Sequence, residues 1–240
     1  MRAAPMQSQS TSHVFARIEP GSLTSAADAA SLFHRFPTYQ QGLTWLEQFV
    51  TRSHPDLGRP GAVCPRLAPA LRTDTVWLVA IALTGASPDH AVAASKLLGH
   101  LFENLATQEQ RQSAALLGFF PDLAAPNAAT FIDGGHRLAR PWFVERGLML
   151  GEFHPTSTVG GVHNRNLPVM RCPAPMFAVR AITPHDLMFL DQPETPPAHR
   201  LAYLQAFDKH VGARLSPTAR AGLHTRIGEV RAALTSGGPS

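Results

Sequence analysis

Residues 76–83, VWLVAIAL, are eight consecutive apolar side chains with no polar position on either parity. Successive side chains of a strand point to opposite faces, so a strand with one wetted face alternates apolar and polar. A strand apolar on both faces must lie between two covering layers. The run is far shorter than the ~20 residues a membrane-spanning helix needs, so it reads as a core element and not as an anchor. With 240 residues the chain is long enough to supply those layers as one large domain, or one domain with tails.

The flanking sequence supplies candidates for the layers. QQGLTWLEQFVTR sets Leu43, Leu46, Phe49 and Val50 at helical spacing. After Gly85, SPDHAVAASKLLGHLFENLA predicts a helix with Ser87 as N-cap and Pro88 in the first turn. SAALLGFFPD predicts a second strand, and NAATFIDGGHRLARPWFVERG a helix broken near Pro141 and stopped at Gly147. LMLGEFHP and APMFAVRAI predict two more strands. This order implies an α+β (or α/β) fold, a single mixed β-sheet packed with helices.

Three zones follow. Residues 1–35, rich in Ser, Ala, Gln and Thr, are expected to form a flexible arm or short helix, residues 36–191 the core domain, and residues 192–240 a Pro-rich joint, QPETPPAH, followed by helices. The net charge is +4, but the basic residues are scattered and do not interleave with aromatics, which gives nucleic-acid binding no support. Two cysteines and no apolar leader before SQSTSHVFARIEP point to a cytoplasmic protein with reduced thiols and no membrane association. A homodimer through a helix face or sheet edge stays open.

The polar groups that carry chemistry concentrate in residues 147–175, GLMLGEFHPTSTVGGVHNRNLPVMRCPAP. Alternation places Leu148, Leu150, Glu152 and His154 on one strand face, with Met149 and Phe153 on the other. The small-residue link TSTVGG then delivers His163 and Asn164. Glu152, His154, His163 and Asn164 are expected to converge at the strand end, where imidazole suits metal binding or proton transfer near neutral pH. The structural alternative is a hydrogen-bonded or surface histidine, since twelve histidines are spread along the chain. The other histidines, His136 among them, have no partner that spacing identifies.

Both cysteines precede proline: Cys64 ahead of the first apolar run and Cys172 ahead of the last. A thiolate is a good iron ligand, and the proline stiffens the loop presenting it. A small buried hydrophobe at a turn is the structural alternative for each.

The segments RPGAVCPRLAPALRTDTVWLVAI, LGFFPD, RPWFVERGLMLGEFHP, GVHNRNLPVMRCPAPMFAVRAI and DLMFL resemble a bacterial family common in actinobacteria, often near natural-product pathways and without an assigned activity. The likeness covers roughly residues 58–190, and its most specific parts are the FHP and HN segments. Arg66 stands where an aromatic is expected and Cys172 where serine is expected, which makes the second Cys-Pro incidental. A fainter resemblance, in a cysteine before the first strand and in the Thr183-Pro184-His185 turn, runs to the YqcI/YcgG-type heme proteins. Some members of that group hydroxylate a guanidine nitrogen of arginine-like substrates. That resemblance implies heme b beside the sheet, with Cys64, His154 or His163 as iron ligand, and Trp77, Trp142, Met149, Phe153 and Met176 as pocket walls.

Three readings follow. The first is a heme-dependent, monooxygenase-like oxidoreductase of secondary metabolism acting on a small polar, amino-acid-like substrate that Glu152, Asn164 and Arg180 orient. The second is a cofactor-free enzyme with His154 and His163 in acid–base roles and Glu152 tuning them. The third is a noncatalytic binding or partner protein. The first two require that Cys64, His154 and His163 face one cavity.

Overall fold

The structure, a computed structural model, describes residues 15–236. In chain order its elements are β1 (Ala16–Ile18), β2 (Thr24–Ser25), α1 (Pro37–Trp45), α2 (Leu67–Arg72), β3 (Val76–Leu83), α3 (Pro88–Leu105), β4 (Ala115–Phe119), α4 (Ala128–Glu145), β5 (Leu148–Phe153), β6 (Met176–Ala181), α5 (Leu187–Leu190), α6 (Pro197–Val211) and α7 (Pro217–Ser236). The strands form one mixed sheet in the order β1-β3-β4-β6-β5, with β2 also paired to β3. Only β3 and β4 are parallel; the other pairings are antiparallel. The fold is α+β, with helices packed on a mixed sheet.

The central strands are covered on both sides, as the unbroken apolar run requires. Val79, Ile81, Leu116, Leu150, Phe177 and Val179 pack under α3 and α4. Their neighbours of opposite parity, Leu78, Ala80, Leu117, Phe119 and Met176, pack with α1, α2 and the π-helical turn Leu46–Val50. A third cluster seats α6 and α7 on Val144, Ile182 and Leu190.

Local signals explain the element ends. Ser87 Oγ accepts from the His90 amide at 3.4 Å and Pro88 opens α3, as the sequence predicts. Gly147 takes φ +71° just beyond α4, a left-handed stop that a residue without Cβ adopts readily. The break expected at Pro141 is absent, because α4 runs on through that residue. Proline removes one backbone donor, and the packing of Ala139, Phe143 and Val144 on either side holds the helix together.

Of the segment expected as an arm, residues 1–14 lie outside the described residues. From residue 16 it supplies β1 and β2, both paired with β3. These strands are three and two residues long, too short for alternation to register in the sequence. No helix among the described residues is long and apolar enough to cross a membrane.

Candidate functional site

Strand β5 carries Glu152 and His154 to the face covered by α4, in keeping with the parity of Leu148 and Leu150. Helix α4 meets them with Asp133 and His136, three residues apart and therefore on one helix face. The side chains pair crosswise. His154 Nε2 lies 2.9 Å from Asp133 Oδ1, and His136 Nδ1 lies 2.8 Å from Glu152 Oε2. His154 is 1% exposed, whereas the Asp133 side chain is half exposed. The second nitrogen of His154, Nδ1, lies 3.1 Å from Thr156 Oγ1, so both ring nitrogens are engaged. His136 takes no further hydrogen bond among the described residues and keeps 17% of its side chain exposed.

Close packing of α4 on α3 fixes this face. A Cβ added at Gly135 would stand 2.3 Å from the Ala91 Cβ, so glycine permits the approach of the two helices. With Gly134 and Gly135 buried toward α3, the flanking Asp133 and His136 are turned to the end of β5.

The remaining expected site residues lie elsewhere. His163 is exposed, and its backbone and Cβ pack against Gly58. Asn164 Nδ2 donates to the Asp56 carbonyl at 2.7 Å, closing the same contact between two loops. Arg180, of the parity that faces away from α4, holds Asp186 in a two-pronged pair at 2.7 and 2.6 Å. Thr183 donates to the same carboxylate through its amide and its hydroxyl. Burial alone would raise the Asp186 carboxyl, but Arg180 and Thr183 outweigh it and hold it below the ordinary carboxylate value.

Cys64 is half-buried against the α1–α2 cluster, and Cys172 is fully buried in it. Burial pushes the Cys172 thiol up to about 12, against a weaker opposing hydrogen bond from Ala174, so it is an inert core residue. Both cysteines are free.

Residues 39–218 match the family model described as "Domain of unknown function (DUF6875)". The chain belongs to the DUF6875 family. No curated protein and no solved structure matches it. The matched span of this DUF6875 chain runs from within α1 to the start of α7 and contains both imidazole–carboxylate pairs, while β1 and β2 precede it.

A heme held by the residues named for it does not fit this DUF6875 chain. His154 reaches α4 on one side of the sheet, while Cys64 packs on the other side, with Met176 and Phe153. Trp77 and Trp142 pack with the α3–α4 cluster, so the aromatic and methionine residues wall no common cavity with Cys64. A groove of about 520 Å³ runs along α1 and the π-helical turn, lined by Thr44, Trp45, Gln48, Phe49 and Pro173, and contains none of the named ligands. Both ring nitrogens of His154 are hydrogen-bonded to side chains, Nε2 to Asp133 and Nδ1 to Thr156. Among the described residues, no three His, Cys, Asp or Glu side chains gather as metal ligands. The expectation that Cys64, His154 and His163 share a cavity is therefore corrected: chain parity and the loop at residues 155–175 send them to three different places.

Asp133, His136 and Thr156 are the site residues that sequence reading missed. IDGGH carries Asp and His at helical spacing, which was the available signal. Their partners become visible only once α4 is known to cover the end of β5.

Proposed function

We propose that the protein is an enzyme that moves protons on a small polar substrate at the α4–β5 edge. His136 is the general base and Glu152 the carboxylate that orients it. The observation that carries this reading is the 2.8 Å contact between His136 Nδ1 and Glu152 Oε2, with the other ring nitrogen unengaged among the described residues and the side chain partly exposed. A carboxylate on one imidazole nitrogen favours the tautomer whose opposite nitrogen accepts a proton, and it stabilises the imidazolium formed afterwards. Positioned acid–base groups of this kind accelerate reactions by roughly 10²–10⁴-fold. The buried His154–Asp133 pair beside it supplies a second imidazole, held rigidly from both nitrogens. His163, exposed on a loop contact, takes no part.

The test uses 5-nitrobenzisoxazole, whose ring opens when a base removes one carbon-bound proton. The wild-type protein should open it faster than buffer. His136→Gln and Glu152→Gln should remove that excess while keeping the thermal transition. A rate no greater than that of buffer, or one unchanged in His136→Gln, overturns the reading.

A further inference from the structure

The hydroxyl of Thr156 has no task in the His136 reading, yet it ends a continuous chain of polar contacts. Asp133 Oδ1 stands 2.9 Å from His154 Nε2, and His154 Nδ1 stands 3.1 Å from Thr156 Oγ1. An ionised carboxylate only accepts hydrogen bonds, so Nε2 carries the ring hydrogen. Nδ1 then bears the lone pair, and the Thr156 hydroxyl donates to it. The imidazole is buried, with 1% exposed, whereas Thr156 is exposed. A base shielded from solvent thus points at the hydroxyl of an exposed residue.

The hydroxyl is also held in place. Thr156 occupies the third position of a turn closed by the Ser157 amide donating to the His154 carbonyl at 3.2 Å. Pro155 fixes the backbone before it. Arg171 Nε donates to the Ser157 carbonyl at 3.1 Å, and the Cys172 amide to the His154 carbonyl at 3.3 Å. Threonine is branched at Cβ, which restricts χ1 and keeps Oγ1 facing the ring.

We propose that Thr156 is a nucleophile that accepts an acyl group from an activated ester. Thr156 Oγ1 bonds to the carbonyl carbon while its proton passes to His154 Nδ1. The bond from that carbon to the leaving oxygen breaks, and the imidazolium returns the proton to the departing oxygen. Asp133 stabilises the imidazolium between the two events. Water attacking the acyl-threonine, with its proton taken by the same nitrogen, releases the acid and restores the hydroxyl. The proposal rests on the reading of the α4–β5 edge as a reactive site, but it uses a different base and a different bond.

The experiment incubates the full chain with 4-nitrophenyl acetate and locates acetyl groups by fragment-ion mass spectrometry of the peptide spanning residues 147–165. One acetyl group on Thr156 is expected in the wild type and in Thr156→Ser, and none in Thr156→Val. Asp133→Asn should slow acetylation by about 10²-fold, the lower range for a lost acid–base contribution. Acetyl found only on lysine or cysteine, or an acetylation rate unaffected by Asp133→Asn, overturns the proposal. The two readings fail separately. Lack of acetyl on Thr156 together with 4-nitrophenol release unchanged in Thr156→Val, beside a His136-dependent benzisoxazole rate, removes this one alone. An acetylated Thr156 without that rate removes the other alone.

Discussion

Asp133 on α4 and His154 at the end of β5 meet at 2.9 Å, a half-exposed carboxylate against a buried imidazole. The ring is 1% exposed with that carboxylate in place, and Asp133 is the acceptor for its Nε2 hydrogen. Asp133→Ala therefore strands a buried donor, which costs about 1–3 kcal/mol. Asp133→Asn keeps an oxygen that accepts and should cost less. Urea unfolding of the two variants checks the order.

The His136–Glu152 pair behaves differently, because both side chains keep some exposure, 17% and 16%. Glu152→Gln should lower the benzisoxazole rate by about 10²-fold or more. Its melting temperature should fall by no more than ~4 °C, the shift that 1 kcal/mol produces in a chain of this size. A variant that loses rate and fold together would make Glu152 a structural residue.

Much of this architecture was legible from residue order alone. The two-faced apolar run announced a covered strand, and alternation placed Glu152 and His154 on one face correctly. The partners were not legible, because they come from another element. Glu152 pairs with His136, which the sequence left without a partner, and the expected tuning of His154 by Glu152 is replaced by Asp133. Arg180, expected to orient substrate, is engaged by Asp186 six residues on. Spacing along one strand cannot show which helix covers it, nor that a loop carries His163 away to Gly58.

Gly135 sets the distance between α3 and α4 and thereby the position of Asp133 and His136. Alanine there would bring its Cβ to 2.3 Å from the Ala91 Cβ and 3.3 Å from the Phe177 ring. Overpacking of this kind costs about 1–3 kcal/mol. Gly135→Ala should lower the melting temperature, and adding Ala91→Gly should restore part of the loss. No recovery in the double variant would mean that the helices are spaced by something else.

Cys64 and His154 stand on opposite sides of the sheet, so the protein produced with heme supplied in the medium should show no Soret band that depends on either residue. Cys64→Ala and His163→Ala should leave both the absorption spectrum and the benzisoxazole rate unchanged. A Soret band lost in Cys64→Ala would restore the thiolate as an iron ligand.

Asp186 governs acid stability. Its carboxyl is 2% exposed, burial alone would raise its pKa, and the paired Arg180 and the Thr183 donors hold it below 3.8. A group with a depressed folded pKa contributes stability above its unfolded value, and that contribution disappears as pH falls through the lower folded value. The wild-type urea midpoint should therefore change little with this group above about pH 5, and fall below about pH 4, where unfolded aspartate begins to bind protons. Asp186→Asn leaves the part-exposed Arg180 guanidinium without its counter-charge, a loss of about 1–3 kcal/mol for charged hydrogen bonds at a half-buried pair. That variant should be less stable at neutral pH and should lose part of the acid slope. Replacing both partners, as in Arg180→Met with Asp186→Leu, removes the unpaired charge along with the pair and should recover stability relative to Asp186→Asn. Equal stability of wild type and Asp186→Asn at pH 7 would show that the pair contributes nothing to the fold.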